Sequence, residues 1–323
     1  MTNGASELDL DDLKASWKKR VGELGEEAGR IFHGRSGGHG ILDWVTVDSY
    51  PPIFVLASYG PMPQTILQRL SELLIEIGRE VGWSESPRFA VLHQSRSGAS
   101  VLWRAFWGAI PETHEATYLG LKFELSLGSQ QNTGIFMDMQ CGHERVMALA
   151  KGCRVLNLFA YTCSFSLMAL QSGALQVVNV DVSRAALATG RRNHLLNGID
   201  PKRARFLPHN VMKSMSAFRR MAPFGLVVAD PPSNQAGRFE ARRDYPKLAR
   251  NLTTIMAPGG HLLACLNAPY IDLEEMIAWF SPHHFHLVQR LGRPAAYGEQ
   301  RPGEDLKILH FHYQSGTSPK VPN

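Results

Sequence analysis

From about residue 141 onward the chain alternates short apolar runs with amphipathic segments, and this alternation constrains the fold more than any other feature. The apolar runs predict seven strands, at 154–159, 177–181, 204–208, 224–229, 261–266, 285–290 and 307–313. The amphipathic segments predict helices between the first six strands, at 164–172, 184–196, 211–221, 243–256 and 272–280. Because strands that alternate with helices form a doubly wound, mostly parallel sheet, we expect an α/β fold with ligands at the carboxyl ends of its strands.

The last two predicted strands follow the fifth helix with no helical segment between them. Strands joined without a crossover helix run antiparallel, so we expect a hairpin at one edge of the sheet. A seven-stranded, Rossmann-like sheet with this ending is typical of class I methyltransferases, which use S-adenosyl-L-methionine (SAM). The same alternation also fits a nicotinamide-dependent dehydrogenase, so the motifs at the strand ends have to decide between the two.

The first 140 residues lack this alternation and predict a separate organisation. Apolar residues at helical spacing over 8–31 predict an N-terminal helix within residues 1–33, and the glycine-rich stretch 34–40 predicts a break. We expect a small α+β domain at 41–135, acting on the substrate or as a lid, and the SAM-binding sheet domain at 136–323. The small domain combines one amphipathic helix, Gln64 to Gly82, with β-rich runs at 41–60, 88–108 and 117–127.

Composition limits the classes of protein that remain. No run of about 18 uncharged apolar residues occurs, which argues against a membrane-spanning helix, and the N-terminus lacks the apolar core of a signal peptide. The four cysteines show no paired spacing and the 13 histidines no metal signature, so we expect reduced thiols, a cytoplasmic location and no bound metal. The net charge of +5 permits an anionic partner such as RNA.

The turn after the first strand of the sheet reads FAYTCSF, residues 159–165, and contains no glycine. A dinucleotide enzyme needs glycines at this turn so that the backbone can approach a pyrophosphate closely. A sulfonium nucleoside carries no phosphate and needs only backbone contacts from the turn. The turn therefore argues against a dinucleotide and remains compatible with SAM.

Polar residues end the next two strands. Asp181 follows the second strand about 20 residues after the turn, where a carboxylate can accept two hydrogen bonds from a ribose diol. The alternative for Asp181 is a structural role at the start of the following helix. His209 and Asn210 end the third strand, where a side-chain amide could bind an adenine ring.

The fourth strand runs into the sequence GLVVADPPS, residues 225–233. Asp230, Pro231 and Pro232 stand directly at the strand end, and proline fixes φ and removes backbone N–H groups. We therefore expect a rigid loop whose carboxylate and carbonyl groups face a ligand. An ordinary Asp-Pro turn is the alternative.

Five segments together resemble the bacterial SAM-dependent methyltransferases of 23S ribosomal RNA, both the m7G-forming and the m5C-forming enzymes. The segments are NTGIFMDMQCGHERV, VLNLFAYTCSFS, VVNVDVSRAALATGRRNHLLNG, DPPS with RFEARRDYPKL, and LACLNAP. The resemblance runs from about residue 40 to the end. It implies an enzyme of class EC 2.1.1.- whose cofactor contacts come from Asp138 and the strand before the sheet, and from Asn157, Phe159, Ala160, Tyr161, Thr162, Cys163, Asp181, Val182, Asn210 and Asp230.

The chain departs from the pattern of these enzymes at three positions. Cys163 replaces a glycine, Asn210 replaces a common aspartate, and DPPSNQ lacks the aromatic residue that usually follows the prolines. In the m5C enzymes a cysteine after the fifth strand adds to the base. The equivalent position here is Asn267, and we expect the nearby Cys265 to be a buried apolar residue.

Without an obvious nucleophile, direct in-line transfer of the methyl group is the expected chemistry. The proposed catalytic residues are Asp230, Pro231, Pro232 and Asn267, which would orient an electron-rich nitrogen. Arg242 and Arg243, beyond the DPP loop, would suit RNA phosphates. Methylation of an RNA base, as in ribosomal RNA, is the leading hypothesis. The alternatives are a methyltransferase acting on protein or a small molecule, and a cofactor-binding regulator that has lost catalysis.

Overall fold

The structure is a computed structural model that describes residues 9–97, 100–232, 234–235, 239–298 and 306–315. The chain divides into two compact units. Unit 1 consists of Met1–Met137 with Ala295–Glu299, and unit 2 of Asp138–Pro294 with Gln300–Asn323. Among the described residues, no helix combines the length and the apolar character needed to cross a bilayer.

Unit 2 contains a seven-stranded sheet in the order β10-β9-β8-β11-β14-β16-β15. The first five strands in this order are parallel, and β16 runs antiparallel between β14 and β15. The predicted α/β fold and its final hairpin are therefore confirmed. The strands are β8 (Arg154–Leu158), β9 (Gln176–Val180), β10 (Ala204–Leu207), β11 (Phe224–Ala229), β14 (Met256–Asn267), β15 (Phe285–Leu291) and β16 (Leu306–Tyr313), with a short pair β12 (Asn234–Gln235) and β13 (Phe239–Glu240) between β11 and β14 in the chain.

Helices follow the parallel strands as the alternation predicts. They are α3 (Gln140–Leu149), which precedes the sheet, then α4 (Ser164–Gln171), α5 (Arg184–Leu196), α6 (Met215–Met221), α7 (Ala241–Leu252) and α8 (Leu273–Ala278). The predicted helix at 211–221 begins instead as a 3-10 turn, Val211–Lys213, because the Asn210 side chain accepts the Lys213 N–H. Large apolar side chains of β8, β11, β14 and α7 fill the core between sheet and helices.

Unit 1 is built on a five-stranded sheet in the order β1-β2-β3-β4-β5, with a separate hairpin of β6 and β7. One amphipathic helix, α2, packs its apolar residues on this sheet, and the α1 residues Trp17 and Val21 join the same core. The elements are α1 (Leu10–Leu24), β1 (Gly29–His33), β2 (Val45–Tyr50), β3 (Ile53–Ser58), α2 (Gln64–Glu80), β4 (Ala90–Ser97), β5 (Ser100–Trp107), β6 (His114–Tyr118) and β7 (Leu121–Leu125).

The interpretation of 8–31 as a single helix is wrong beyond Leu24. The helix ends at Gly25, whose φ of 58° lies in the region that glycine occupies without strain, and the Gly25 N–H caps the Val21 carbonyl. Residues Gly29–His33 then form an edge strand paired with β2. The N-terminal segment is thus a helix and a strand of the small unit.

Candidate active site

Four neighbouring strands of unit 2 present their carboxyl ends along one edge of the sheet. β9, β8, β11 and β14 are parallel and adjacent. Leu158 and Ala229, the last residues of β8 and β11, pair with each other, and Ala229 also pairs with Ala264 of β14. The residues after these strands meet at this edge, which we call the cofactor edge. The predicted sites at 159–163, Asp181 and Asp230 therefore lie together.

The glycine-free turn contains three residues in the left-handed backbone conformation, which is unusual for residues other than glycine. Phe159, Tyr161 and Cys163 have φ values of 58°, 46° and 67°. A left-handed backbone conformation costs a residue with a Cβ roughly 1–2 kcal/mol. Contacts with the surrounding structure therefore have to stabilise the turn in this conformation. Cys163 adopts the conformation usual for glycine, and its Sγ fills the space beside Gly190, where an added Cβ would come within 2.5 Å of that sulfur.

Hydrogen bonds hold the turn from both neighbouring elements. The Tyr161 N–H donates to Asp181 Oδ2 (2.9 Å) and the Ser183 N–H to Asp181 Oδ1 (2.8 Å), so one carboxylate ties the turn to the end of β9. Asn193 of α5 donates its Nδ2 to the Thr162 carbonyl (3.3 Å). Asp181 is partly exposed. The residue that caps α5 is Ser183, so the alternative of a helix-cap role for Asp181 is wrong, and its carboxylate instead ties the turn to the segment after β9.

A buried polar chain lies beneath the turn. Asn157 donates to Asn179 (2.9 Å), Asn179 to the Ser166 hydroxyl (3.0 Å), and Ser166 meets His194 Nε2 (2.9 Å). His194 Nδ1 faces the Gly190 carbonyl, which can only accept, so Nδ1 carries the proton and Nε2 accepts from Ser166. Burial lowers the pKa of His194 to about 4, which keeps this neutral form at pH 7.

These hydrogen bonds bear on two of the predicted cofactor contacts. The side chains of Asn157 and Cys163 are 1% and 0% exposed, and both are packed below the surface of the turn. Their side chains support the turn from below, and any contact that these two residues make with a ligand would come from their backbone. The reason is that Asn157 satisfies its amide within the sheet, and Cys163 fills the space beside the glycine of α5.

Asp230 carries the most perturbed carboxyl group of the edge. Its burial, and then the nearby Asp138 carboxylate, raise its pKa to about 7. Asp138 lies in a 3-10 turn, Met137–Met139, so the strand expected before the sheet is wrong at this position. Pro231 is buried, Pro232 is exposed, and Ser233 lies outside the described residues. The sequence motif indicated Asp230 but not the effect of Asp138.

Tyr245 of α7 is a positioning residue that the sequence patterns did not indicate. Its buried hydroxyl lies 2.8 Å from the Ala229 carbonyl and 2.9 Å from the Cys265 carbonyl, so it joins β11 to β14 immediately before Asp230. Its ring also packs on Phe239, which in turn contacts Phe159 edge-on. A single tyrosine at helical spacing looks like any core aromatic, so no local signal could have identified it.

The remaining predicted residues differ in exposure. Val182 is 41% exposed, Asn210 is partly exposed, and Asn267 at the end of β14 is exposed. Ala160 is buried, and its N–H donates to the Val180 carbonyl (3.0 Å). Val182 and Asn210 therefore offer side chains to a ligand, whereas Ala160 contributes the backbone that joins the turn to β9.

All four cysteines resist ionisation. Burial raises the pKa of the Cys163 and Cys265 thiols well above the ordinary value, and it also raises the pKa of Cys141 and Cys153. The expectation that Cys265 is buried and apolar is confirmed, since it is 0% exposed within β14. A thiol is a nucleophile only as its thiolate, and the raised pKa disfavours that form in all four cysteines.

The two arginines beyond the DPP loop are held by carboxylates. Arg242 forms a bidentate pair with Glu275 (2.7 and 3.0 Å), and Arg243 contacts both oxygens of Asp244 (2.9 and 2.7 Å). The expectation that they suit RNA phosphates is therefore not supported here, because each guanidinium already has an anionic partner. They connect the start of α7 to Glu275 and Asp244 instead.

The strand order, the final antiparallel hairpin and the turn-plus-carboxylate geometry define a class I methyltransferase fold. A family model described as "S-adenosylmethionine-dependent methyltransferase" matches residues 29–312. The chain therefore belongs to the SAM-dependent methyltransferase family, as its motifs predict. SAM is the cofactor of that family, which excludes the dehydrogenase alternative.

Curated relatives share part of their length with this chain. A ribosomal RNA large subunit methyltransferase of Deinococcus radiodurans is 31% identical over 280 residues, which cover 82% of this chain and 64% of the relative. A ribosomal RNA large subunit methyltransferase I of Aeromonas salmonicida is 35% identical over 148 residues, 45% of this chain and 37% of the relative. The chain thus spans less than two thirds of these relatives.

Solved structures agree in fold. A Streptococcus mutans protein, provisionally assigned to the SAM-dependent methyltransferases, superposes with a TM-score of 0.76 at 21% identity, covering 95% of this chain and 82% of that one. A SAM-dependent methyltransferase of Agrobacterium tumefaciens gives 0.62 at 18% identity, covering 84% and 88%. At these identities the likeness extends to the fold alone.

The chemistry of the cofactor edge fits a cationic nucleoside. Asp138 and Asp230 lie close enough for one carboxylate to disfavour ionisation of the other. A positive charge between them would remove that repulsion, and SAM carries a sulfonium and an ammonium group. Asp181 adds a third carboxylate beside the turn. The residues present therefore match the charge and the hydrogen-bonding needs of the family's cofactor.

Proposed function

We propose that this protein is a SAM-dependent methyltransferase that methylates a base of ribosomal RNA by direct transfer, without a cysteine nucleophile. The direct-transfer part is supported by the burial of the thiols, which raises the pKa of all four cysteines and so disfavours the thiolate. The RNA part is supported by the curated relatives, which are named as large-subunit ribosomal RNA methyltransferases.

Each residue of the cofactor edge has a proposed role. Asp181 would hold the ribose while it keeps the turn closed through Tyr161, and the exposed Val182 and the amide of Asn210 would pack on and bind the adenine. Asp138 and Asp230 would hold the positively charged end of SAM. When bound, SAM supplies a methyl group activated by its sulfonium.

The acceptor side of the edge is formed by the DPP loop and the end of β14. Tyr245 holds the carbonyl of Ala229, and the rigid Pro231 and Pro232 follow Asp230, so the Asp230 carboxylate has little freedom to move. Asn267 is exposed at the neighbouring strand end. We propose that Asp230 and Asn267 orient the acceptor nitrogen, since positioning supplies most of the rate of such a transfer.

The test is transfer of a labelled methyl group from SAM to purified ribosomal RNA, protein and metabolite fractions of a strain that lacks this gene. We expect the label in RNA, and Asp230→Ala to reduce the rate by at least about a hundredfold. Label in protein or metabolites but not in RNA would contradict the substrate assignment and favour the alternative.

One variant tests the absence of a cysteine nucleophile. Cys265→Ala should leave the rate of methyl transfer within about twofold of the wild type, because a protonated, buried thiol does no chemistry. Loss of transfer in Cys265→Ala with unchanged SAM binding would show that the direct mechanism is wrong. Circular dichroism on the same samples separates either result from unfolding.

A further inference from the structure

A compact group of arginine and aromatic side chains stands out in unit 1. Arg35 and Arg96 both lie over the ring of Tyr59, with their guanidinium carbons 4.2 and 4.9 Å from its centroid. Trp44 is hydrogen-bonded to Tyr59 through the backbone, since the Trp44 carbonyl accepts the Tyr59 N–H (2.9 Å). We call these four residues the arginine–aromatic cluster.

Trp44 offers a flat surface to solvent. Its side chain is 53% exposed, which is unusual for the largest apolar residue, and its ring lies directly on Gly60. A Cβ at that glycine would come within 3.1 Å of the ring, so the glycine allows the close approach. The indole is thus supported on one side and open on another.

The charges of the cluster lack a counter-ion among the described residues. Neither Arg35 nor Arg96 has a carboxylate within 4.0 Å in that part of the chain, whereas Arg30 is paired with Asp48 and Lys14 and Lys18 with Glu80. Two guanidinium groups on one ring repel each other. An anion at this place would relieve the repulsion, as a cation would between two carboxylates.

Arg96 shows how such an anion would be bound. Its Nε donates to Gln94 Oε1 (2.5 Å) and its Nη2 to the Gln131 carbonyl (3.0 Å), which fixes the orientation of the guanidinium plane. Arg35, the other arginine on the Tyr59 ring, is exposed. A guanidinium held in this way is preorganised for phosphate oxygens and keeps donors available for them.

We propose that the arginine–aromatic cluster binds single-stranded RNA, with phosphates at Arg35 and Arg96 and an unstacked base on Trp44. This inference rests on the proposed RNA substrate and adds the surface that holds it. An exposed ring can stack only with a base that is free of its duplex partner, which favours single-stranded over double-stranded RNA.

The test measures binding of a fluorescein-labelled, mixed-sequence 12-nucleotide single-stranded RNA by anisotropy, without SAM, over a range of salt concentrations. The logarithm of the affinity falls as the logarithm of the salt concentration rises, with a slope of about −0.7 for each phosphate contact to a single strand. Arg35→Ala/Arg96→Ala removes two such contacts and should make the slope shallower by about 1.4. Trp44→Ala should weaken binding about tenfold and leave the slope unchanged, since stacking involves no counter-ion release.

Two further variants serve as controls. Lys18→Ala/Lys19→Ala removes two positive charges from the same unit, and both lysines face glutamates on exposed surface. We expect its affinity to stay within about twofold and its slope to stay unchanged. Arg35→Lys/Arg96→Lys keeps both charges and should keep the slope, while affinity falls a few-fold because the planar fork is lost.

Several outcomes would overturn the inference. They are an unchanged salt slope in Arg35→Ala/Arg96→Ala, equal losses in the lysine control, tighter binding of the matched duplex, or tighter binding of a glutamate-rich peptide of equal charge. The proposed function is tested separately by methyl transfer. Transfer to RNA with none of the expected changes in binding would reject this surface alone, whereas RNA binding without RNA methylation would reject the proposed substrate.

Discussion

The cofactor edge of unit 2 and the arginine–aromatic cluster of unit 1 are opposite in charge but alike in design. At the cofactor edge Asp138 raises the pKa of Asp230. In the cluster Arg35 and Arg96 share the ring of Tyr59. Each place brings like charges together, and a ligand of opposite charge would reduce their repulsion.

The charged residues of α1 and α7 show the other arrangement. Lys14 bridges Glu76 and Glu80, each at 2.8 Å, and Arg242 is bidentate with Glu275. Such pairs neutralise each other's charge and lie on exposed surface, where they contribute little to stability. The comparison teaches that the pairing of charges, more than their number, indicates where a ligand of opposite charge would bind.

The largest effect is expected from removing the carboxylate that joins the turn to β9. Asp181→Ala should weaken SAM binding by about a hundredfold, because it removes a charged acceptor from two backbone N–H groups as well as from the ligand. Isothermal titration calorimetry measures the change. A loss below about threefold would mean that the carboxylates of this edge do not serve the cofactor.

A second change tests the packing of the turn without altering any charge. Gly190→Ala should lower the free energy of unfolding by about 1–3 kcal/mol, since its Cβ would come within 2.5 Å of Cys163 Sγ. Urea denaturation measures the loss.

The double variant provides the control for that change. In a Cys163→Gly background the sulfur and its Cβ are absent and the Thr162 carbonyl, 3.1 Å from the added Cβ, remains, so Gly190→Ala should cost clearly less than in the wild type. Equal losses in both backgrounds would show that the two residues do not depend on each other.

The pH dependence of SAM binding tests the repulsion between the carboxylates of Asp138 and Asp230. The pKa of Asp230 is about 7, so its carboxylate is protonated at pH 6 and ionised at pH 8, and the positive charge of SAM favours the ionised form. SAM affinity should therefore rise about tenfold from pH 6 to pH 8. S-adenosylhomocysteine lacks the sulfonium charge and should respond less.

The protein without cofactor should respond in the opposite direction. A carboxyl pKa that folding raises from 3.8 to about 7 means that the folded state holds the proton more tightly than the unfolded state. The resulting stability is present below about pH 4 and is lost as pH rises to 7. Asp230→Asn should remove both pH effects, and a pH-independent wild type would contradict the assignment.

The smallest effect is expected where charges are already paired. Arg242→Gln should change the affinity for the 12-nucleotide RNA by less than about twofold, because its guanidinium is held by Glu275. The same anisotropy assay measures it beside Arg35→Ala/Arg96→Ala. If Arg242→Gln lost as much RNA affinity as the double variant, the pairing of an arginine with a carboxylate would not determine whether it binds RNA.

The sequence by itself determined the sheet of unit 2. Alternating apolar strands and amphipathic helices can bury their apolar surfaces in few arrangements other than a parallel sheet covered by helices. It also indicated Asp181 and Asp230, since strand ends in a parallel sheet share one edge. The single helix expected over 8–31 was wrong because apolar spacing continued across Gly25 and did not reveal the edge strand that follows.

Only the tertiary structure decided which charges and side chains face each other. Asp138 and Asp230 are 92 residues apart in the numbering, and Arg35 and Arg96 are 61 apart, yet each pair acts at one place. Tyr245 and the partners of Cys163 are likewise set by packing. Local patterns record periodicity and turn chemistry, whereas repulsion, burial and pairing depend on distances in space that no short segment contains.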